Sequence, residues 1–369
     1  MRISVLGKDF ELLGEFSIYR SLIWNRRYYE PGVFEIHTAV DYFPLLYSGL
    51  YVFRHDRKEL GVIRNVNYSQ TNNGARTAFC KGYFAEHLLD GRVIVPAVNI
   101  TGTPEEIGHQ LVQNYFIAPA DSTRVFPHLR LGEIKGLGKS TRLQNTGDHV
   151  GEKLYELEQT QELSHRLVFD FEENVLTFET WAGLDRTDDQ EINSPATFSN
   201  AFYNVKNVVY DRDDSSAANF AYVLGEGEGA DRVVVEVDLR SSSDQDRREI
   251  YVDAKDLRKT YKDSAGNDKT YTDAQYRELL RQRGLEKLDE YATVETVNSD
   301  IDAAANLVYM KDFDLGDLCT YQNHDVGIET VERITEIQEV YEGSKTTLNL
   351  TFGNGEMTSL TKMIRRETT

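Results

Sequence analysis

Cysteine, proline, basic residues and long apolar runs are all in short supply in this sequence. The two cysteines, Cys80 and Cys319, lie far apart and outside any metal-type spacing, which excludes a disulfide framework. Buried, reduced thiols are expected, in keeping with synthesis in the cytoplasm. No run approaches the length of a membrane span, so membrane insertion by this chain is not expected. Residues Met1–Gly7 lack the apolar segment of a secretory signal, and exit from the cell is expected only by lysis or within an assembly. Lys and Arg total 41 against 61 Asp and Glu, a net charge of −20. Such a surface repels phosphate and anionic lipid, which argues against a nucleic-acid reader or a membrane-docking protein.

What is present favours strands. Only seven prolines stand against 21 Tyr and 17 Phe, and aromatic residues suit half-buried strands. Hydrophobic residues at 40% are enough to exclude wholesale disorder, and 369 residues imply two to four domains. Phe34, Ile36, Thr38 and Val40 alternate with Glu35 and His37, a strand with one buried face. Helix starts are written at Thr103-Pro104-Glu105-Glu106 and Thr272-Asp273-Ala274-Gln275. The first predicts a helix near 103–116 and the second one near 272–290, with Gly284 interrupting or ending it. A third is expected over about 148–162.

The fold class is therefore α+β, mainly β. The expected division is an N-terminal β-barrel over 1–95, a mixed α/β domain over 96–195, a second β-barrel over 196–240 joined with 300–355, an inserted α/β domain over 241–299 and a C-terminal tail over 356–369. One internal echo supports two barrels. Residues 49–84 read as strand, turn, strand, turn, strand, and residues 316–352 repeat that pattern at similar spacing.

Several segments imitate known sites. Gly136-Leu137-Gly138-Lys139-Ser140-Thr141 ends like a phosphate loop, but Glu133 occupies the place of its first glycine. Gly225–Gly229 carries two acids and has no helical pattern behind it, so it reads as a connection. Asp211–Ser215 lacks the glycine and bidentate Glu of a calcium loop and reads as an acidic turn. No His-Glu-x-x-His pair and no Gly-x-Ser-x-Gly occurs. No catalytic residue, metal ligand or cofactor is expected. A glycosidase carboxylate pair stays open, because such acids meet only in the fold. Arg27 and Glu35 flank Pro31-Gly32 and read either as two solvated side chains or as a bridge.

The segment Trp24-Asn25-Arg26-Arg27-Tyr28-Tyr29-Glu30-Pro31-Gly32-Val33-Phe34-Glu35 resembles the opening of siphophage tail hub proteins. Val223–Gly229 with Arg232, Glu249–Leu257, and Asp314–Leu318 continuing to Arg333–Ile337 follow in the order of that family, over about residues 20–353. The resemblance implies a structural, non-enzymatic protein of the tail tip in the virion. It implies two barrels with inserted mixed α/β domains, and a homotrimer whose six barrels form a near six-fold ring. The implied partners are a hexameric distal tail ring protein, the tape-measure protein, and DNA passing without specific binding. Enzymatic parts of such hubs follow the last barrel, and none is expected here. An acidic channel wall is a further expectation, with Glu226, Glu228 and Asp231 as contributors. A cell-wall hydrolase and a receptor-binding adhesin are the alternatives.

Overall fold

The computed structural model describes residues 1–72, 74, 76–262, 267–301, 306–343 and 345–353. The tail expected over 356–369 lies outside the described residues. Strands dominate. The N-terminal unit holds β1 (Ile3–Leu6), β2 (Leu12–Phe16), β3 (Ser21–Arg27), β4 (Val33–Thr38), the short helix α1 (Phe43–Ser48), β5 (Tyr51–Arg54), β6 (Leu60–Gln70) and β7 (Arg76–Phe84). Its core collects Ile3, Val5, Trp24, Phe34, Ile36 and Phe84, the apolar phase of each strand.

A mixed unit follows, with β8 (Val98–Gly102), α2 (Pro104–Val112), β9 (Leu129–Leu131), β10 (Thr141–Asn145), α3 (Val150–Gln159), β11 (Ser164–Asp170) and β12 (Val175–Trp181). Thr103 and Glu106 complete the capping box that starts α2. Ile107, Leu111 and Val112 of that helix pack with Leu154 and Leu157 of α3 and with Phe178 of β12.

Beyond these lie β13 (Asp185–Arg186), β14 (Thr197–Ser199), β15 (Val205–Asp213), β16 (Phe220–Leu224), β17 (Val234–Asp238), β18 (Glu249–Asp253), the hairpin β19 (Thr260–Lys262) with β20 (Asp268–Thr270), α4 (Asp273–Asp289), β21 (Val294–Ile301), β22 (Leu318–Asn323), β23 (Ile328–Glu342) and β24 (Lys345–Gly353). The expected grouping of 196–240 with 300–355 needs correction. Only β14 and β15 join the C-terminal strands, whereas β16 and β17 pair with β18 and pack on α4 around Val223, Val237 and Leu280. The second capping box, Thr272 with Gln275, is present, but α4 runs through Gly284. A Cβ there would lie 2.7 Å from methyls of both Val223 and Val237, so Gly284 allows close approach of helix and sheet.

The long sheet runs in the order β15-β21-β24-β23-β3-β4-β7-β6-β5-β1-β2, and its path closes into no barrel among the described residues. Two meanders inside it share one register. Tyr51 pairs with Val62 and Leu318 pairs with Arg333. Two positions beyond each partner, at Arg64 and at Thr335, the middle strand bulges against the third. Past the bulge, Asn65–Gln70 pair with β7, and Glu336–Glu342 pair with β24. The match continues outward, where β4 and β3 follow β7 as β21 and β15 follow β24, all antiparallel. On the other flank the units differ. β5 takes β1 antiparallel, while β22 takes β13 and β14 parallel.

Both cysteines lie in strands and are fully buried. Burial pushes the Cys80 thiol up to about 12, and Cys319 is raised for the same reason. Neither sulfur should react with an aromatic disulfide reagent at neutral pH until denaturant is added, when two thiols per chain should titrate. Reaction in the native protein would contradict this packing.

Candidate assembly surfaces

The N-terminal and C-terminal β units meet where β3 pairs with β23, from Arg27 opposite Glu336 to Ser21 opposite Glu342. Behind this seam lies a buried charge network. The Glu339 carboxylate accepts from Arg54 at 3.1 Å, from Arg57 at 2.6 and 2.8 Å, and from the Tyr341 hydroxyl at 2.6 Å. The Arg54 side chain is fully buried and lies 5.1 Å from the ring centroids of Trp24 and Tyr341. Beside it, Arg26 donates to Glu59 at 2.6 Å, Asp314 at 2.5 Å and the Tyr309 hydroxyl at 2.9 Å. A cavity of about 290 Å³ opens next to this network, lined by Arg26, Arg57, Glu59, His165, Trp181 and Asp314.

Burial pushes the Glu339 and Glu59 carboxyls up, but their arginine partners outweigh it and hold both below the ordinary carboxylate range. Their contribution to stability is therefore present above the unfolded value, about 4.3, and is lost as pH falls through the lowered folded values. Urea midpoints should drop on acidification below that value. Glu339→Gln should flatten the acid limb, and an unchanged acid limb would contradict the assignment.

Arg27 and Glu35 do not bridge each other. Arg27 lies 3.5 Å from Glu30 and 3.7 Å from Glu336, while Glu35 lies 2.6 Å from His37. Arg27 is also not solvated, since its side chain is 7% exposed against the seam. The signals for this junction were local. Arg54 ends an apolar run, and Glu339 falls in phase with Ile337 and Tyr341 on the buried side of β23.

The imitation motifs have structural occupations. The loop before Gly138 wraps a carboxylate of its own chain, because buried Glu105 accepts from the backbone N–H groups of Lys135 and Leu137. The N–H groups of this loop are thus already taken by a side chain of the same chain. Gly225–Gly229 connects β16 to β17, and the Tyr276 hydroxyl accepts from the Glu226 N–H. Glu226, Glu228 and Asp231 lie in this connection, between two strands of the three-stranded sheet β17-β16-β18. Of the segment read as an acidic turn, Asp211–Asp213 end β15, and the chain turns at Ser215, whose N–H donates to the Asp213 carboxylate. Among the described residues, no three His, Cys, Asp or Glu side chains gather as a metal site, and no helix is long and apolar enough to cross a membrane.

Residues 2–354 match a family described as Siphovirus ReqiPepy6 Gp37-like protein. The chain belongs to this family. Its fold is shared with solved phage tail proteins. A tail protein from Neisseria meningitidis MC58 superposes with a TM-score of 0.56 at 12% identity, covering 96% of this chain and 95% of its own. The prophage tail protein gp18 from Listeria monocytogenes EGD-e gives 0.55 at 12%, covering 99% of both chains. The 43 kDa tail protein of prophage MuSo2 from Shewanella oneidensis gives 0.54 at 12%, covering 95% of this chain and 98% of its own. No curated protein matches the sequence. The family places this siphovirus tail protein among virion components.

Proposed function

We propose that this siphovirus tail protein is the hub of the tail tip, a homotrimer whose ring continues the tail tube. In this reading the two β units are the barrel-like lobes, and the units built on α2–α3 and on α4 are insertions between them. Three copies carrying two lobes each give a near six-fold ring, which fits beneath a hexameric distal tail ring protein. Tape-measure protein and DNA then pass through its centre without specific binding, and the role is structural. The observation that carries the reading is the repeated meander, with one register and one bulge position in both halves. A duplicated lobe turns three-fold into near six-fold symmetry. Class averages of the purified protein in negative stain should show a three-fold ring with six lobes. A monomer or an isologous dimer at every concentration would overturn the reading. No turnover of peptidoglycan or teichoic acid is expected in a zymogram, and turnover abolished by one carboxylate substitution would favour a hydrolase instead.

A further inference from the structure

The repeated register has a consequence for the edges of the long sheet. On the β22 side, β23 carries two partners in succession, with β22 along 328–333 and β3 along 336–342. The matching strand β6 carries β5 along 60–62, but its 65–70 edge takes no strand among the described residues. At the other end, β15 occupies the position of β3, and its outer edge is likewise unoccupied among the described residues. One chain therefore contains one completed seam and the two separate halves of a second.

Exposure follows the same division. Trp24 of β3 is 0% exposed and Glu339 of β23 is 1% exposed, and these two residues face each other across the seam. Their counterparts by register are Tyr210 of β15 and Tyr68 of β6, which are 36% and 42% exposed. Val209, the counterpart of Ile23, is 55% exposed. Long edges with exposed aromatic and β-branched side chains are templates for another strand. Neither edge strand carries a proline.

We propose that β15 of one copy adds to the 65–70 edge of β6 in the next copy, antiparallel, in the register that β3 adopts on β23. This rests on the ring reading above and supplies its subunit contact. Transferring Glu336–Arg27, Gln338–Asn25 and Val340–Ile23 gives Asn65 opposite Asp213, Asn67 opposite Asp211, and Ser69 opposite Val209. On the alternate face, Val66 meets Arg212 and Tyr68 meets Tyr210, the latter an aromatic cross-strand pair. No like charges face each other in this register. The contact is head-to-tail, so copies add in one direction and close when the rotation suits.

The test is oxidative cross-linking with the oligomer size measured in parallel. Ser69→Cys with Val209→Cys in one chain places thiols on one face at directly opposed positions, and both native thiols are buried. Asn67→Cys with Asp211→Cys is the second pair, in case the first disturbs folding. Ser69→Cys with Tyr210→Cys, on opposite faces, is the control. Covalent dimers and trimers should dominate a non-reducing gel for either designed pair and be absent from the control. A trimeric ring without cross-linking of either designed pair would overturn the seam and leave the ring reading standing. Open cross-linked chains would support the seam and overturn the ring. A monomer that never cross-links would overturn both.

Discussion

Replacing Glu339 with alanine should lower the unfolding free energy by about 3–5 kcal/mol, the usual cost of leaving a buried charge without its partner. The reason is Arg54. Its side chain has no exposure, and the remaining acid within reach, Asp56 at 3.0 Å, is 47% exposed. Arg57 is 11% exposed and stands nearer to solvent. Without Glu339, the buried Arg54 guanidinium keeps the half-exposed Asp56 as its one acid partner among the described residues. Changing Arg54 and Glu339 together to leucine should recover most of the loss, because the two most buried charges are then gone and Arg57 still has Asp56 at 3.3 Å. Urea unfolding followed by tryptophan fluorescence measures both variants. A loss for Glu339→Ala below about 1 kcal/mol would mean that the network behaves like a surface pair.

Trp24→Ala should cost a similar amount, about 3–5 kcal/mol, by a different route. Trp24 is fully buried, with its ring centroid 4.6 Å from that of Phe84 and 5.9 Å from that of Phe34. Truncation leaves a cavity in the N-terminal core and removes the ring that lies against the Arg54 guanidinium. The two substitutions touch one network, so the double variant Trp24→Ala/Glu339→Ala should depart from additivity by more than about 0.5 kcal/mol. Additive losses would show that the aromatic core and the charge network act separately. In the proposed ring, the lowered stability should also appear as dissociation, since the β3–β23 seam lies between the two β units of each copy.

The sequence by itself determined the local elements. Alternation wrote β4, Thr caps with Pro or Asp behind them started α2 and α4, and strand burial of the two cysteines followed from their neighbours. These depend on contacts within one strand or one helical turn, which a linear reading can count. The recurrence of the 49–84 pattern in 316–352 was also legible, because turn spacing survives when identity does not.

Tertiary structure decided the rest, since each remaining feature joins residues from different elements of the chain. Glu105 fills a loop 30 residues away, and Glu339 neutralises an arginine 285 residues away. Gly284 looks like a helix breaker until the sheet beneath α4 is present, where the close approach of Val223 and Val237 requires it. β16 and β17 read as ordinary strands of the second β unit, and only their packing on α4 assigns them elsewhere. That β6 and β15 each keep an edge without a partner strand among the described residues is invisible in a sequence, because whether a strand is central or at an edge depends on what pairs beside it and not on its own residues.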